Sequence, residues 1–271
     1  MRLDQTLVYR GLLPSRERAR AAILAGEVTV NGREIRKPSL ETTDADALYL
    51  RGTHSYVGRG YLKLRKALEA FSIDVAGKTC MDVGASTGGF TQLLLERGAA
   101  KVFAIDVGTG QLAASLRSDP SVVSLERTDF RAVTAEQVGR PDFACADVSF
   151  ISLKLILPNL HALLGENGGA VCLLKPQFET GAPVKRGIVK DPKEHIRVIG
   201  EIIRAAEQEG FSCLNLTYSP VAGGDGNIEF LLYLSKNDNC EHLDLSINDN
   251  CKRLDLSIND TVISAWKELK A

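Results

Sequence analysis

Apolar and polar positions alternate along this chain in two patterns. Short continuous apolar runs are typical of buried strands, and apolar residues three or four positions apart are typical of amphipathic helices. Beyond residue 61 the two patterns alternate, which predicts an α/β fold with a mostly parallel sheet and helices on both faces. Only a loop separates the last two predicted strands, so they can pair as a hairpin with the last strand antiparallel. The predicted strands are 79–83, 102–106, 122–125, 143–147, 170–175, 214–218 and 228–234, and the predicted helices are 62–71, 90–95, 111–117, 151–164 and 193–210.

The first 50 residues predict a separate, small α+β unit. Ser15 is a typical N-cap for a helix over 16–25, and Gly26 is a typical residue to end it. Asn31-Gly32 follows the apolar segment 28–30, and this pair favours the type I′ turn of a β-hairpin. The predicted organisation is a head over 1–50, a linker over 51–61, a body over 62–236 and a tail over 237–271.

The tail contains a near-identical tandem repeat, because residues 237–247 recur at 248–258 with two changes. A solenoid needs several longer repeats to bury a core, so the repeat indicates recent slippage in the coding sequence and not a functional module. Apolar residues at helical spacing in 261–270 predict a terminal helix that docks on the body or on a partner. We expect the repeat and this helix to be peripheral.

Charge is distributed unevenly along the 271 residues. The net charge is −1, but residues 1–66 hold 13 Lys or Arg and 7 Asp or Glu, a balance of +6 that leaves −7 for the rest. A basic head suggests a polyanionic partner, and Arg16, Arg18 and Arg20 on one side of a helix suit RNA phosphates. On charge alone, a solvated face is an equally good explanation.

The six cysteines are scattered and form no Cys-x-x-Cys pair. This distribution favours buried thiols of a cytoplasmic protein over disulfides or a zinc site, so we expect no metal. The N-terminus lacks the apolar segment of a signal peptide, and no apolar run reaches membrane-spanning length, so we expect no membrane association.

A glycine-rich turn follows the strand predicted over 79–83. Gly88 and Gly89 lie where this strand would turn into a helix, and glycine lets the backbone approach a cofactor closely. Asp106 ends the next strand, about where a doubly wound fold places a carboxylate on ribose hydroxyls. The glycine spacing matches neither the dinucleotide fingerprint nor the P-loop, so a nucleoside cofactor without phosphates is favoured, and S-adenosylmethionine is the obvious one. A plain strand–helix junction would explain the glycines alone, but Asp106 favours a cofactor site.

Charged residues lie at one edge of the predicted sheet. Asp147 and Lys175 end their strands, and Glu229 begins the strand that runs backwards, so all three reach the same edge. Lys63 opens the helix before the first strand, and we expect it near them. Any one of these residues could be an ordinary surface charge, although Asp147 and Lys175 each follow a buried apolar run.

Two parts of the sequence resemble known protein families. The head resembles the S4 RNA-binding domain through Arg2-Leu-Asp4, Ser15-Arg16, Gly26-x-Val28-x-Val30-Asn31-Gly32 and Lys37-Pro38-Ser39. The chain as a whole resembles the TlyA family over about residues 1–235, through Gly60-Tyr-Leu-Lys63-Leu, Asp82-Val-Gly-Ala-Ser-Thr-Gly-Gly-Phe-Thr91, Asp147-Val-Ser-Phe-Ile-Ser152, Leu174-Lys-Pro-Gln-Phe-Glu179 and Gly226-Asn-Ile-Glu-Phe230. One departure from the family is Gly58-Arg-Gly-Tyr61, which replaces Ser-Arg-Gly-Gly.

The resemblance implies an S4-like head followed by an FtsJ-type, Rossmann-like methyltransferase that uses S-adenosylmethionine. Members of the family methylate cytidine 2′-hydroxyls of ribosomal RNA, and some were named haemolysins. The expected partner is therefore ribosomal RNA or a ribosomal subunit. The family's catalytic tetrad falls on Lys63, Asp147, Lys175 and Glu229.

Methyl transfer to a ribose oxygen requires a positioned hydroxyl and removal of its proton. Lys175 is the candidate base, oriented by Asp147, or it stabilises the developing alkoxide as a cation. We expect Asp82, Gly84, Ser86 and Gly88 to line the methionine side of the cofactor and Asp106 to bind the ribose. Asp129 would accept from the adenine amine or cap a loop. Candidate RNA contacts are Arg2, Arg16, Arg18, Arg20, Lys37, Lys185 and Arg186, together with Phe178, although the loop around Lys185 could simply be solvated.

Two other functions are considered. A membrane-active cytolysin is suggested only by the older family name, and the sequence has no signal, span or long basic amphipathic helix to support it. A non-catalytic RNA-binding protein conflicts with the intact tetrad and glycine turn.

Overall fold

The computed structural model describes residues 1–13, 15–50, 56–181, 184, 187–224, 226–237 and 250–269. Among the described helices, none has the length and apolarity needed to cross a membrane. The helices are α1 (Leu3–Tyr9), α2 (Arg16–Ala25), α3 (Gly60–Ala70), α4 (Gly89–Glu96), α5 (Ala114–Arg117), α6 (Ala135–Val138), α7 (Leu157–Leu163), α8 (Pro176–Glu179), α9 (Pro192–Gln208) and α10 (Asn250–Leu269). The strands are β1 (Val28–Val30), β2 (Arg33–Glu34), β3 (Leu48–Leu50), β4 (Thr79–Val83), β5 (Lys101–Ile105), β6 (Val122–Leu125), β7 (Phe143–Ala146), β8 (Gly169–Leu174), β9 (Ser212–Tyr218) and β10 (Phe230–Ser235).

The head contains α1, α2 and a three-stranded sheet in the order β2-β1-β3. The Ser15 hydroxyl accepts a hydrogen bond from the Arg18 backbone N–H at 3.3 Å, and Gly26 ends α2 in the left-handed conformation with φ 76°. Asn31 and Gly32 both have positive φ, as a type I′ hairpin requires. The helix and hairpin therefore form where the sequence predicts them, whereas α1 and β3 were not predicted.

The body is a seven-stranded sheet in the order β6-β5-β4-β7-β8-β10-β9. Its first five strands are parallel, and β10 lies antiparallel between β8 and β9. Successive strand residues pack into different apolar clusters, with Met81 on one face and Cys80 on the other. The predicted Rossmann-like sheet with an antiparallel last strand is confirmed.

Strand register explains how two distant residues reach one point. The pairing of β8 with β10 ends at Leu174 opposite Phe230. Lys175 and Glu229 are the next residues on these two strands, so the antiparallel pairing places them beside each other.

A second register places the glycine turn beside a carboxylate. The parallel pairing of β4 with β7 ends at Val83 beside Ala146. The Asp147 backbone N–H donates to the Val83 carbonyl at 2.9 Å, so the Asp147 backbone lies against Gly84.

Two predicted helices differ in the structure. The helix predicted over 151–164 is a 3₁₀ turn (Leu153–Leu155) followed by α7, because Pro158 fits only the first turn of a helix. The terminal helix is longer than predicted, since α10 begins at Asn250. Residues 238–249, most of the first repeat copy, lie outside the described residues.

The expectation that the terminal helix is peripheral is wrong. Ile258, Val262 and Ala265 are buried in the core cluster that also contains α9 residues. The Trp266 indole N–H donates to His195 Nδ1 at 3.0 Å, which fixes the helix to α9. The second repeat copy therefore supplies Ile258 to the hydrophobic core.

Candidate active site

A cleft of about 510 Å³ opens at the carboxyl ends of the parallel strands. This volume lies within the roughly 300–1,000 Å³ of small-molecule sites. The body supplies most of its walls, but Tyr9, Arg10 and Asp44 of the head also line it. Head and body therefore form the cleft together.

The four predicted catalytic residues meet in this cleft as a chain of ion pairs. Lys63 Nζ lies 2.7 Å from Glu229 Oε2 and 3.5 Å from Asp147 Oδ2. Lys175 Nζ lies 2.6 Å from Asp147 Oδ1 and donates a hydrogen bond to Ser149 Oγ at 2.7 Å. An ammonium has three hydrogens, so these two contacts leave a third for a substrate oxygen. The sequence did not identify Ser149.

Burial and charge act in opposite directions within the tetrad. Burial lowers the pKa of Lys63, but the charges of Asp147 and Glu229 outweigh it and raise the pKa above its ordinary value. Burial raises the pKa of Asp147, but Lys63 and Lys175 outweigh it and lower the pKa. Lys63 and Asp147 thus remain an ion pair at neutral pH, and Asp147 stays an acceptor that can orient Lys175.

Asp82 lies at the floor of the cleft on β4, and its side chain is buried. It accepts hydrogen bonds from the Thr91 hydroxyl at 2.6 Å and from the Thr91 backbone N–H at 2.9 Å. Burial raises the pKa of Asp82 from 3.8 to about 7, against the effect of these two bonds. The folded protein therefore binds a proton at Asp82 over a pH range where the unfolded chain does not.

Because the folded protein binds this proton at Asp82, its free energy of unfolding depends on pH. A raised carboxyl pKa favours the folded state at low pH, and the advantage is lost as pH rises from the unfolded value towards about 7. Between pH of about 5.5 and about 7.5, we expect the wild type to lose roughly 2 kcal/mol more unfolding free energy than Asp82→Asn. Urea unfolding of both proteins at the two pH values measures this, and equal losses would contradict the assignment.

The glycine turn approaches the cleft through Gly84 and Gly89, which both line it. Gly84 has φ +82°, and a Cβ there would lie 2.5 Å from the Asp147 carbonyl oxygen, so only glycine fits. A Cβ on Gly88 would instead meet Leu112 and Leu116 at 2.7 and 2.3 Å. Gly88 therefore serves the packing of the turn and does not line the cleft, contrary to its predicted place there.

The two predicted adenosine carboxylates differ in their surroundings. Asp106 accepts from the backbone N–H groups of Ser86 at 2.8 Å and Gly108 at 2.7 Å, which joins the turns after β4 and β5. It lines a small cavity that shares Ser86 with the main cleft, and its binding of the cofactor ribose stays a prediction. Asp129 caps the turn over 130–132 and pairs with Arg131 at 2.6 Å, so the structure favours the loop-cap alternative.

Two aromatic side chains stand at the mouth of the cleft. Phe150 is 91% exposed and has φ +63°, a conformation that a bulky residue adopts only at a strain of about 1–2 kcal/mol. Its ring centroid lies 5.1 Å from that of Phe178, at an angle of 48°. The sequence singled out Phe178 but not Phe150, because the left-handed backbone that exposes Phe150 has no sequence signature.

The predicted RNA contacts of the head divide into two groups. Arg2 and Arg16 pair with the buried Asp4 at 3.0 and 3.2 Å, so both also stabilise the head. Arg18, Arg20 and Lys37 are exposed. Lys185 and Arg186 lie outside the described residues.

Arg59 connects the head to the catalytic body. Its guanidinium lies 3.7 Å from the centroid of the Tyr9 ring and donates to the Ala222 carbonyl at 3.0 Å. Arg59 directly precedes α3, which carries Lys63 one turn later. The contacts thus fix the head against the helix and the loop that support the tetrad.

The fold and cleft define a class of protein: a Rossmann-like methyltransferase that uses S-adenosylmethionine. The cofactor fits the residues present, since Gly84 keeps the turn open to the cleft and Asp106 lies at the adjoining cavity. Within the described residues, no group of three or more His, Cys, Asp or Glu could hold a metal ion.

Comparison with known proteins identifies the family. An FtsJ-like methyltransferase model matches residues 56–236, and an S4 domain model matches residues 1–46. The 16S/23S rRNA (cytidine-2′-O)-methyltransferase TlyA of Mycobacterium tuberculosis is 46% identical over 86% of this chain and 89% of that protein. The chain belongs to the TlyA family of FtsJ-like methyltransferases, and it is an enzyme that uses S-adenosylmethionine.

Other relatives carry a different name. Hemolysin A of Brachyspira hyodysenteriae is 40% identical over 86% of this chain and 99% of that protein. A solved structure from Streptococcus thermophilus, described as a hemolysin, has a TM-score of 0.80 and 42% identity, covering 100% of this chain and 97% of that chain. The family thus includes proteins named for two activities.

Proposed function

We propose that this enzyme transfers the methyl group of S-adenosylmethionine to the 2′-hydroxyl of a cytidine in ribosomal RNA, and that it acts in the cytoplasm, where ribosomes are found. The observation that carries the proposal is the ion-paired tetrad of Lys63, Asp147, Lys175 and Glu229 at one end of the cleft. A relative 46% identical to this chain is named for this activity.

The tetrad residues have distinct roles in the proposed reaction. When bound, S-adenosylmethionine would supply an electrophilic methyl group to the ribose oxygen and would leave as a neutral thioether. Lys175 lies against this oxygen and, as the neutral amine, receives its proton to become an ammonium, while Asp147 and Ser149 hold the lysine in place. Lys63 fixes Asp147 on one side and Glu229 on the other. Asp82, Gly84, Ser86 and Asp106 would bind the cofactor.

The head delivers the RNA in this proposal. Arg2, Arg16, Arg18, Arg20 and Lys37 present positive charge to phosphates, and the head forms part of the cleft wall. A target nucleotide that leaves its stack can stack on the exposed ring of Phe150, which packs against Phe178. RNA binding and methyl transfer therefore take place in the same cleft.

The test is transfer of radiolabel from S-adenosylmethionine to purified ribosomal subunits and to naked ribosomal RNA. We expect label in RNA in at least one of these substrates. Binding of RNA without methyl transfer would indicate a non-catalytic RNA-binding protein. Lysis of erythrocytes without methyl transfer would indicate a cytolysin.

Replacing Phe150 by alanine should lower kcat/KM for RNA roughly tenfold or more, because base–aromatic stacking contributes about 1–3 kcal/mol per base. Phe150→Gly should lower activity to the same extent yet raise Tm, since glycine removes the strain at φ +63°. Steady-state kinetics and thermal unfolding measure the two effects. Unchanged kinetics in both variants would contradict a stacking role.

A further inference from the structure

The loop that follows β7 carries three groups of the site on a strained backbone. Asp147, Ser149 and Phe150 all line the cleft, and Phe150 adopts φ +63°. A side chain in this region persists only where surrounding contacts determine the conformation. A contact of sufficient strength must therefore hold the far end of the loop.

The buried carboxylate of Glu179 provides this contact. It accepts from the Ser152 hydroxyl at 2.5 Å and from the Leu153 backbone N–H at 2.9 Å. The side chain of Glu179 is only 5% exposed, and burial raises its pKa while these two bonds oppose the rise. A buried carboxylate that accepts two hydrogen bonds from neighbouring residues of one loop holds that loop firmly in place.

The position of Glu179 explains how its two hydrogen bonds affect the active site. Glu179 ends α8, whose helix starts directly after Lys175. Its carboxylate thus joins the segment that carries Lys175 to the loop that carries Asp147 and Phe150. Lys175 Nζ already bonds Asp147 and Ser149 at the near end of that loop, so Glu179 closes a second connection at its far end.

We propose that Glu179 is a positioning residue for methyl transfer, which holds the loop from Asp147 to Leu153 in register with Lys175 through its bonds to Ser152 and Leu153. The inference rests on the function proposed above. Glu179 is not among the residues that line the cleft and acts through the loop, so its loss should affect turnover and RNA recognition but not cofactor affinity.

The first test compares Glu179→Ala, Glu179→Gln and the exposed control Glu207→Ala in the full chain. We expect Glu179→Ala to lower kcat/KM for RNA at least tenfold while the Kd for S-adenosylmethionine changes less than threefold. Glutamine can accept from Leu153 and donate to Ser152, so Glu179→Gln should retain more than a third of wild-type activity. An equal loss in Glu179→Gln and Glu179→Ala would overturn the proposal.

The second test is a double-mutant cycle with Ser152→Ala, which removes the same connection from the other side. The double variant should be no more than threefold worse than Glu179→Ala, because both changes break one connection. Independent, multiplicative losses would overturn the proposal, and so would wild-type activity in both single variants. If the wild type itself labels no RNA, the proposed function fails, and that result is distinct from either outcome.

Discussion

Replacing Lys175 by alanine is expected to abolish methyl transfer while leaving the affinity for S-adenosylmethionine nearly unchanged. Lys175 is the tetrad member with contacts to both Asp147 and Ser149, and it retains one hydrogen-bonding position for the ribose oxygen. Loss of a group that transfers a proton in the transition state lowers rates by about 10²–10⁴-fold. Single-turnover transfer of labelled methyl, together with calorimetry of cofactor binding, measures both quantities.

The matched control for this experiment is Lys193→Ala, which removes an exposed lysine from the first turn of α9. It should transfer methyl groups at the wild-type rate. Equal loss of transfer and cofactor binding in Lys175→Ala would show that Lys175 is a structural residue. The pH profile of the wild type then separates two roles: a rate that rises with pH indicates a base, and a flat profile indicates a cation that stabilises the alkoxide.

The second large effect is expected at Gly84. Alanine there must place its Cβ within 2.5 Å of the Asp147 carbonyl oxygen and adopt φ +82°. The turn and the Asp147 backbone must move apart, and both line the cofactor cleft. We expect the Kd for S-adenosylmethionine to rise at least tenfold, which is about 1.4 kcal/mol.

Gly139→Ala separates the clash from the backbone conformation. Gly139 has φ +72°, but a Cβ there would meet no atom within 4 Å. This variant should bind the cofactor as the wild type does, although both variants carry the strain of an alanine at positive φ. Titration calorimetry compares the cofactor affinities of the two variants. Wild-type affinity in Gly84→Ala would contradict the claim that the close contact between Gly84 and the Asp147 backbone shapes the cofactor site.

The fold was largely predictable because the alternation of strand and helix patterns follows from local sequence. Asp147, Lys175 and Glu229 could be placed together, since parallel strands end at one edge and β10 was expected to run backwards. Lys63 was expected near them and the family resemblance assigned it to the tetrad, and the structure connects all four as a chain of ion pairs. Their catalytic roles stay predictions until the variants are measured.

Other parts of the site depend on tertiary contacts that sequence patterns do not encode. Phe150 is exposed because its loop adopts a left-handed turn, and the bonds of Ser149 and Glu179 stabilise that loop. Gly88 looked like a cofactor-binding glycine, but its space is needed for Leu112 and Leu116.

The packing of the terminal helix also could not be predicted from sequence patterns. A recent-looking repeat suggested a peripheral segment, yet Ile258 fills a place in the main core. The packing of α10 against α9 and β9 depends on the whole fold, and a local pattern of apolar residues cannot reveal it. The head–body contact of Arg59 with Tyr9 likewise joins residues far apart in the chain.

The most direct test of the central claim is nucleoside analysis of RNA treated with this enzyme and methyl-labelled S-adenosylmethionine. After complete digestion, chromatography and mass spectrometry distinguish a methyl group on the ribose from one on the base. We expect label in 2′-O-methylcytidine, the product for which a 46% identical relative is named, with none in RNA treated with Lys175→Ala. Label on a base, or equal labelling by wild type and Lys175→Ala, would contradict the account.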